Sequence, residues 1–231
     1  MKKLIVFTGA GISAESGIKT FRDKDGLWEQ YRIEDVATPE AWERNPAYVQ
    51  EFYNFRRKQL LEVEPNAAHL ALVELEKKYD VQIITQNIDD LHERAGSQKV
   101  LHLHGELLKS RSSIHKDHIY PIQGWELKMG EVCELGSQLR PHIVWFGELV
   151  PEMENAANLT SHADVFICIG TSLNVYPAAG LISLTPDGIP KYLVDPGTID
   201  QHHLRGIEHL HNKATEGVPE LVALLMKDAN I

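Results

Sequence analysis

The chain has 231 residues, 43% of them hydrophobic and 24% charged, which suffices for one substantial core with a small appended module. Its formal net charge of −10 argues against a nucleic-acid partner, which would want a basic face, and leaves room for a basic peptide partner. No apolar run approaches the ~20 residues of a membrane span, so a membrane is not expected as a partner either.

The N-terminus MKKLIVF starts basic, but its apolar stretch stops after Phe7, short of the roughly 7–15 residues of a secretory leader followed by a cleavage site. It predicts a first strand, LIVFTG (4–9), in a cytoplasmic protein. Residues 40–63 and 66–79 predict helices, with apolar positions at mixed three- and four-residue spacing. Further strands are expected at VQIITQ (81–86), VLHLHG (100–105), HIVWFG (142–147), VFICIG (165–170) and YLVD (192–195). PELVALLMKD predicts a last helix with Pro219 near its first turn.

Alternating β and α segments imply an α/β fold, a parallel, doubly wound Rossmann-like sheet. Residues 31–65 and 108–140 do not fit that repetition. They are expected to form a smaller module over the C-terminal edge of the sheet. The core would then comprise about 1–30, 66–107 and 141–231, all within a single domain. The two cysteines, Cys133 and Cys168, offer neither a disulfide framework nor a CxxC knuckle. Cys168, inside VFICIG, is expected to be a buried inert thiol.

Gly9-Ala10-Gly11-Ile12-Ser13-Ala14 follows the first strand directly. Glycines there permit a tight turn and close backbone approach to a pyrophosphate at a helix N-terminus. Taken alone, the motif is a weak signal, and its alternative reading is a structural strand–helix turn. The acidic residue that ends the second strand in ordinary dinucleotide enzymes is not evident, which weakens a dehydrogenase reading. Gln86, Asn87, Asp89, His104 and Ser172 also fall at or just after strand ends. Ligands bind outside the carboxyl ends of parallel strands, so these residues are candidates for one crevice.

GAGISAESGIKTFRDKDGLW (9–28), TQNID (85–89), HLHGEL around His104-Gly105, LRPHIVWFGE (139–148) and GTSLNVYPA (170–178) occur in that order. Together they resemble the sirtuin family of NAD-dependent protein-lysine deacylases, over nearly the whole chain. The resemblance implies that Gly9, Ala10, Gly11, Ser13, Phe21, Arg22 and Trp28 contact NAD. It implies that Gln86, Asn87, Ile88 and Asp89 hold the nicotinamide and its ribose, with Asn87 also catalytic. Carboxamide and carboxylate side chains suit this task, since the ligand needs both donors and acceptors. Gly170, Thr171 and Ser172 match the adenosine-side loop. Asp195 matches only the end of the family's next strand, because Leu193 stands in the usual Asn place. Ala214 is implied on the adenine side.

By the same resemblance His104 is the general base. In that mechanism the acyl oxygen of an acylated lysine attacks the nicotinamide ribose, nicotinamide leaves, and a histidine removes a ribose hydroxyl proton. An ordinary histidine pKa of ~6.5 suits such a transfer. His102 is expected to be structural.

Most sirtuins carry two CxxC pairs between the His-Gly and RPxxVxFGE segments, holding a structural zinc. Here that interval contains only Cys133, and zinc needs about four ligands. A metal-free module is expected. The alternative is an unusual site from Cys133, His115, Asp117 and His118.

Tyr53-Asn54-Phe55-Arg56 resembles the Tyr-x-x-Arg pair of class III sirtuins, which implies acidic acyl substrates such as succinyl, malonyl or glutaryl lysine. An i, i+3 pair shares a helical face, and a guanidinium suits a carboxylate. Otherwise Arg56 and Arg57 make a solvated basic face with Tyr53 packed inward. Two other functions remain open. One is an NAD glycohydrolase or mono-ADP-ribosyltransferase. The other is a silent NAD-binding module, against which Asn87, Asp89 and His104 argue.

Overall fold

A computed structural model describes residues 1–18, 31–171, 176–198 and 206–227. In chain order its strands are β1 (Lys3–Thr8), β2 (Asp80–Thr85), β3 (Val100–His102), β4 (Gly105–Ser112), β5 (Ile119–Pro121), β6 (Leu139–Ile143), β7 (Val165–Ile169), β8 (Lys191–Val194) and β9 (Glu208–Leu210). The helices are α1 (Gly11–Ala14), α2 (Ile33–Val36), α3 (Pro39–Arg44), α4 (Pro46–Leu60), α5 (Ala67–Leu75), α6 (Leu91–Ala95), α7 (Met153–Ser161) and α8 (Ala214–Lys227). A 3-10 turn covers Ala178–Leu184.

Among the described residues, six strands pair in parallel in the order β3-β2-β1-β7-β8-β9. This is the doubly wound Rossmann-like arrangement, and the direction of winding reverses between β1 and β7. The strands carry near-continuous apolar runs because both faces of the sheet are covered. Leu4, Val6, Ile83, Ile167 and Val194 point into one cluster with Leu72 and Leu75 of α5 and Leu221 and Leu225 of α8. Ile5, Phe7, Ile84, Phe166 and Cys168 point to the other face, against Ala156 of α7 and Leu181. Cys168 is fully buried, and burial pushes its thiol well above the usual range.

The second sheet is antiparallel, in the order β5-β4-β6. It and the helices α2 to α4 enclose a third cluster that includes Val36, Val49, Phe52, Leu107, Ile143 and Trp145. Arg57 ties these elements together. Buried in α4, it donates to Leu107 O, to Asn54 Oδ1 and to Trp125 O, each at 2.7 Å.

Several sequence expectations need correction. HIVWFG is not a strand of the parallel sheet. Its first residues, with Leu139–Pro141, form β6 of the small sheet, and the rest turns toward Glu148. VLHLHG splits, since β3 ends at His102 and β4 begins at Gly105, whose φ of +81° turns the chain. The helix expected over 40–63 breaks at Asn45, which caps α4 by accepting from Tyr48 N–H, with Pro46 filling the first position. Pro219 lies inside α8 rather than in its first turn. An extra turn from Ala214 precedes it, secured by Glu15, whose carboxylate accepts from the Thr215 N–H and hydroxyl.

Candidate active site

Every parallel strand ends on the same edge, and the segments that follow β1, β2, β3 and β7 sit on it. The turn after β1 is packed directly on the turn after β7. Gly11 N–H donates to Gly170 O at 2.9 Å, and a Cβ on Gly170 would lie 2.4 Å from the Ile12 nitrogen. Gly170 also has a φ of +60°, so two constraints require glycine there. Ala10 and Gly11 remain partly exposed at this edge, while Gly9 is buried.

The segment after β2 faces this turn. Asn87 is buried, and its Nδ2 donates to Gly9 O at 3.1 Å and to Ser13 Oγ at 3.2 Å. The Ser13 hydroxyl donates in turn to Asp89 Oδ2 at 3.0 Å. Ser13 thus links the amide and the carboxylate. Burial raises the Asp89 carboxyl above its usual range, against the pull of the Leu91 N–H and the Ser13 hydroxyl. Gln86 reaches across to the other half of the sheet, where its Oε1 accepts from Thr171 Oγ1 at 3.1 Å. Ala10, Ser13, Arg56, Asn87, Ile88 and Asp89 line one pocket.

His104 follows β3 at the same edge. Its Nδ1 stands 2.9 Å from Gln86 O. A carbonyl only accepts, so Nδ1 carries the proton and Nε2 is the basic nitrogen. Burial lowers the His104 pKa, partly countered by that carbonyl. His102 faces two acceptors, Asn87 O at 3.0 Å and Glu93 Oε1 at 2.7 Å. Burial disfavours its charge, but Glu93 outweighs this and its pKa is raised. It buttresses the Asn87 backbone from outside the pocket.

Arg56 is buried in α4, and burial brings its pKa down to about 10, with Tyr53 and Asp89 opposing. It is therefore still charged at neutral pH. Tyr53, one turn earlier, does not line the same pocket as Arg56; its oxygen accepts from Trp145 Nε1 at 3.0 Å. Asp195 follows β8, where its Oδ1 accepts from Gly197 N–H, and Ala214 is buried at the start of α8. Phe21, Arg22, Trp28 and Ser172 lie outside the described residues.

The 108–140 interval offers a poor donor set for zinc. Cys133 Sγ lies 3.0 Å from Ser137 Oγ, which is 2.6 Å from Ser112 Oγ. His118 faces Glu134 at 2.6 Å, and its ring packs against His115. Neutral hydroxyls are weak partners for this ion, and no group of three metal-binding side chains converges among the described residues.

Sequence reasoning did not single out Thr8, Thr85, His69 and His92, a buried polar line under Asn87. The threonines that end β1 and β2 just before each motif were the available signal. It also passed over Trp145, Arg140 and Glu148, which meet beside Tyr53. The Arg140 guanidinium lies 3.3 Å from the Trp145 ring centroid, and the Glu148 carboxylate accepts from Arg111, Arg140 and Trp145 N–H.

Residues 9–177 match the model of the Sir2 family. The chain belongs to the Sir2 family. A relative from Bacteroides thetaiotaomicron called NAD-dependent protein deacylase is 56% identical, covering 98% of this chain and 99% of its own. Another of that description from Helicobacter pylori strain 26695 is 50% identical, with both chains covered in full. Among solved structures, a Sir2 homolog–NAD complex superposes with a TM-score of 0.89 at 39% identity, covering 98% of this chain and 90% of its own. A Sir2 protein bound to acetylated peptide gives 0.82 at 29% identity, covering 97% and 94%. No helix among the described residues of this Sir2-family chain is long and apolar enough to cross a membrane.

Proposed function

We propose that this Sir2-family enzyme, an NAD-dependent protein deacylase, removes acidic acyl groups such as succinyl and malonyl from protein lysines in preference to acetyl. The observation that carries this reading is the buried, charged Arg56 lining the same pocket as Asn87 and Asp89. The products are nicotinamide and O-acyl-ADP-ribose, the site of action is the cytoplasm, and the small module of residues 31–65 and 108–140 works without zinc.

NAD, when bound, would supply an electrophilic ribosyl carbon for the acyl oxygen. The chain's own residues orient and move protons. Asn87 and Asp89, opposite the glycine turn, offer an amide and a carboxylate to a carboxamide and to ribose hydroxyls. His104, with Nδ1–H held by the Gln86 carbonyl, takes a proton on Nε2. Arg56 holds the far carboxylate of the acyl group, and Tyr53, one turn earlier and outside the lining of that pocket, adds its remaining proton beside it. A hydrogen bond to a charged group contributes roughly 1.5–3 kcal/mol, or about ten- to hundredfold in kcat/KM.

The test is incubation with NAD and matched acetyl-, succinyl- and malonyl-lysine peptides, with products identified by mass spectrometry. Succinyl turnover should exceed acetyl turnover, mainly through KM. Arg56→Met should remove that excess and spare deacetylation. Preference for acetyl, or equal slowing of both by Arg56→Met, rejects the acyl assignment. Free ADP-ribose as the main product points to a glycohydrolase instead.

A further inference from the structure

Beneath Asn87 a line of buried polar groups runs between the two walls of the pocket. The Asn66 backbone N–H, capping α5, donates to Nδ1 of His69 at 3.3 Å. His69 and His92 are fully buried, and their rings meet edge to face with centroids 4.9 Å apart. Nε2 of His92 lies 3.1 Å from Thr8 Oγ1. Thr8 Oγ1 donates to Thr85 Oγ1 at 2.8 Å, which also accepts the Asn87 backbone N–H at 3.0 Å. Two atoms in this line, His69 Nε2 and His92 Nδ1, find no hydrogen-bond partner among the described residues.

Counting donors and acceptors fixes both tautomers. His69 accepts on Nδ1, so its proton sits on Nε2. Thr8 gives its one proton to Thr85, so it accepts from His92, whose proton is therefore also on Nε2. What is left over is complementary, one N–H on His69 and one lone pair on His92, on two rings in contact. Leaving both unmade in the interior is costly, which favours their pairing. Burial holds both rings neutral. It lowers the His69 pKa to about 4, against the pull of Glu93, and it holds His92 well below the usual histidine range, with His69 and His102 adding to the effect.

We propose that His69 and His92 are positioning residues for Asn87, a pair of Nε2–H tautomers in ring contact, with His69 tied to the cap of α5 and His92 tied through Thr8 to Thr85, the hydroxyl that accepts the Asn87 N–H. The line reaches both walls. Asn66 Nδ2 donates to Ile12 O at 2.8 Å and to Ser16 Oγ at 3.0 Å, beside the glycine turn. At the other end, the Asn87 backbone sets where its carboxamide meets Gly9 O and Ser13. Each link has one polarity, so removing the His92 donor frees Thr8 to reorient and loosens Thr85 under Asn87. The proposal rests on the reading that Asn87 acts at the nicotinamide end of NAD.

Two measurements test it on the full chain. Long-range proton–nitrogen correlation spectra should show both rings as neutral Nε2–H tautomers from about pH 5 to 8, a range in which an unperturbed histidine would titrate. An Nδ1–H tautomer, or a charged ring at about pH 6, overturns the proposal. In kinetics, His92→Leu should lower kcat for nicotinamide release about tenfold, as small misplacements near a reacting centre do, while peptide KM stays within about twofold. His92→Gln, which restores an amide donor toward Thr8, should recover most of that loss at a comparable melting temperature. Full activity in His92→Leu, or no recovery in His92→Gln, overturns it. If Asn87→Ala turns over like wild type, both this proposal and the underlying reading of Asn87 fail. An inactive Asn87→Ala beside a fully active His92→Leu rejects the histidine chain alone.

Discussion

The indole N–H of Trp145 donates to the phenol oxygen of Tyr53 at 3.0 Å, with both side chains buried. The phenol receives that donor from its own chain, which leaves its single proton to be given elsewhere. Trp145 is fixed by the Arg140 guanidinium on its face and by Glu148 on its backbone N–H. Trp145→Phe keeps a ring and deletes the donor. The loss of one neutral hydrogen bond, about 1 kcal/mol, should lower kcat/KM for succinyl peptide about fivefold. Acetyl turnover should barely change. Paired assays on the two peptides decide it, and a parallel fall in both would mean that Trp145 only supports the fold.

His104→Ala should retain NAD binding and lose about 10²- to 10⁴-fold in deacylation, the usual cost of removing a general base. Calorimetric titration with NAD beside a turnover assay separates binding from chemistry. Near-normal turnover in a folded variant rules out the role.

The same residue sets a pH dependence. The base must be neutral to accept a proton, and burial lowers the His104 pKa below the ordinary 6.5. It therefore stays neutral into mildly acidic solution. The acid limb of the kcat/KM profile should lie below pH 6.5, and an acid limb above that value contradicts the assignment.

Arg57→Met should destabilise the protein by about 2–4 kcal/mol, since one buried and two part-buried acceptors lose their donor at about 1 kcal/mol each. Urea unfolding monitored by tryptophan fluorescence measures this. A loss below about 0.5 kcal/mol would show that water replaces the guanidinium there.

On the proposal that the small module works without zinc, a chelator should leave the melting temperature unchanged, with the Ser112, Cys133 and Ser137 contacts bracing the small sheet. Structural metal binding is coupled to folding, so a chelator-induced drop, or about one zinc per chain by elemental analysis, refutes it.

The doubly wound core was legible because its strands are buried on both faces. LIVFT, VQIIT and VFICI leave little alternative to central strands. The strand-end positions of Gln86, Asn87 and His104 followed from the same pattern. The small sheet was illegible for the opposite reason. SRS at the end of β4 pairs through backbone and hydroxyl groups, with no apolar alternation to betray it. HIVWFG misled because β-branched and aromatic residues suit any half-buried strand, and composition does not reveal the partner. His69 and His92 were hidden among twelve histidines, since nothing local distinguishes a buried polar line from surface rings.

Strand β1 lies between β2 and β7, pairing Phe7 with both Ile84 and Cys168. On the ribosome the glycine turn emerges first and the strand that completes its floor emerges about two-thirds of a chain later. Such non-local pairing slows folding, because loop closure precedes the contacts that reward it. Until then β1 presents an unpaired edge that is apolar from Leu4 to Phe7, the kind of surface that invites association with other chains. Fragments ending before residue 165 should therefore be prone to aggregate and should not hold the glycine turn in its final shape. An enzyme assembled this way is vulnerable to premature termination along most of its length.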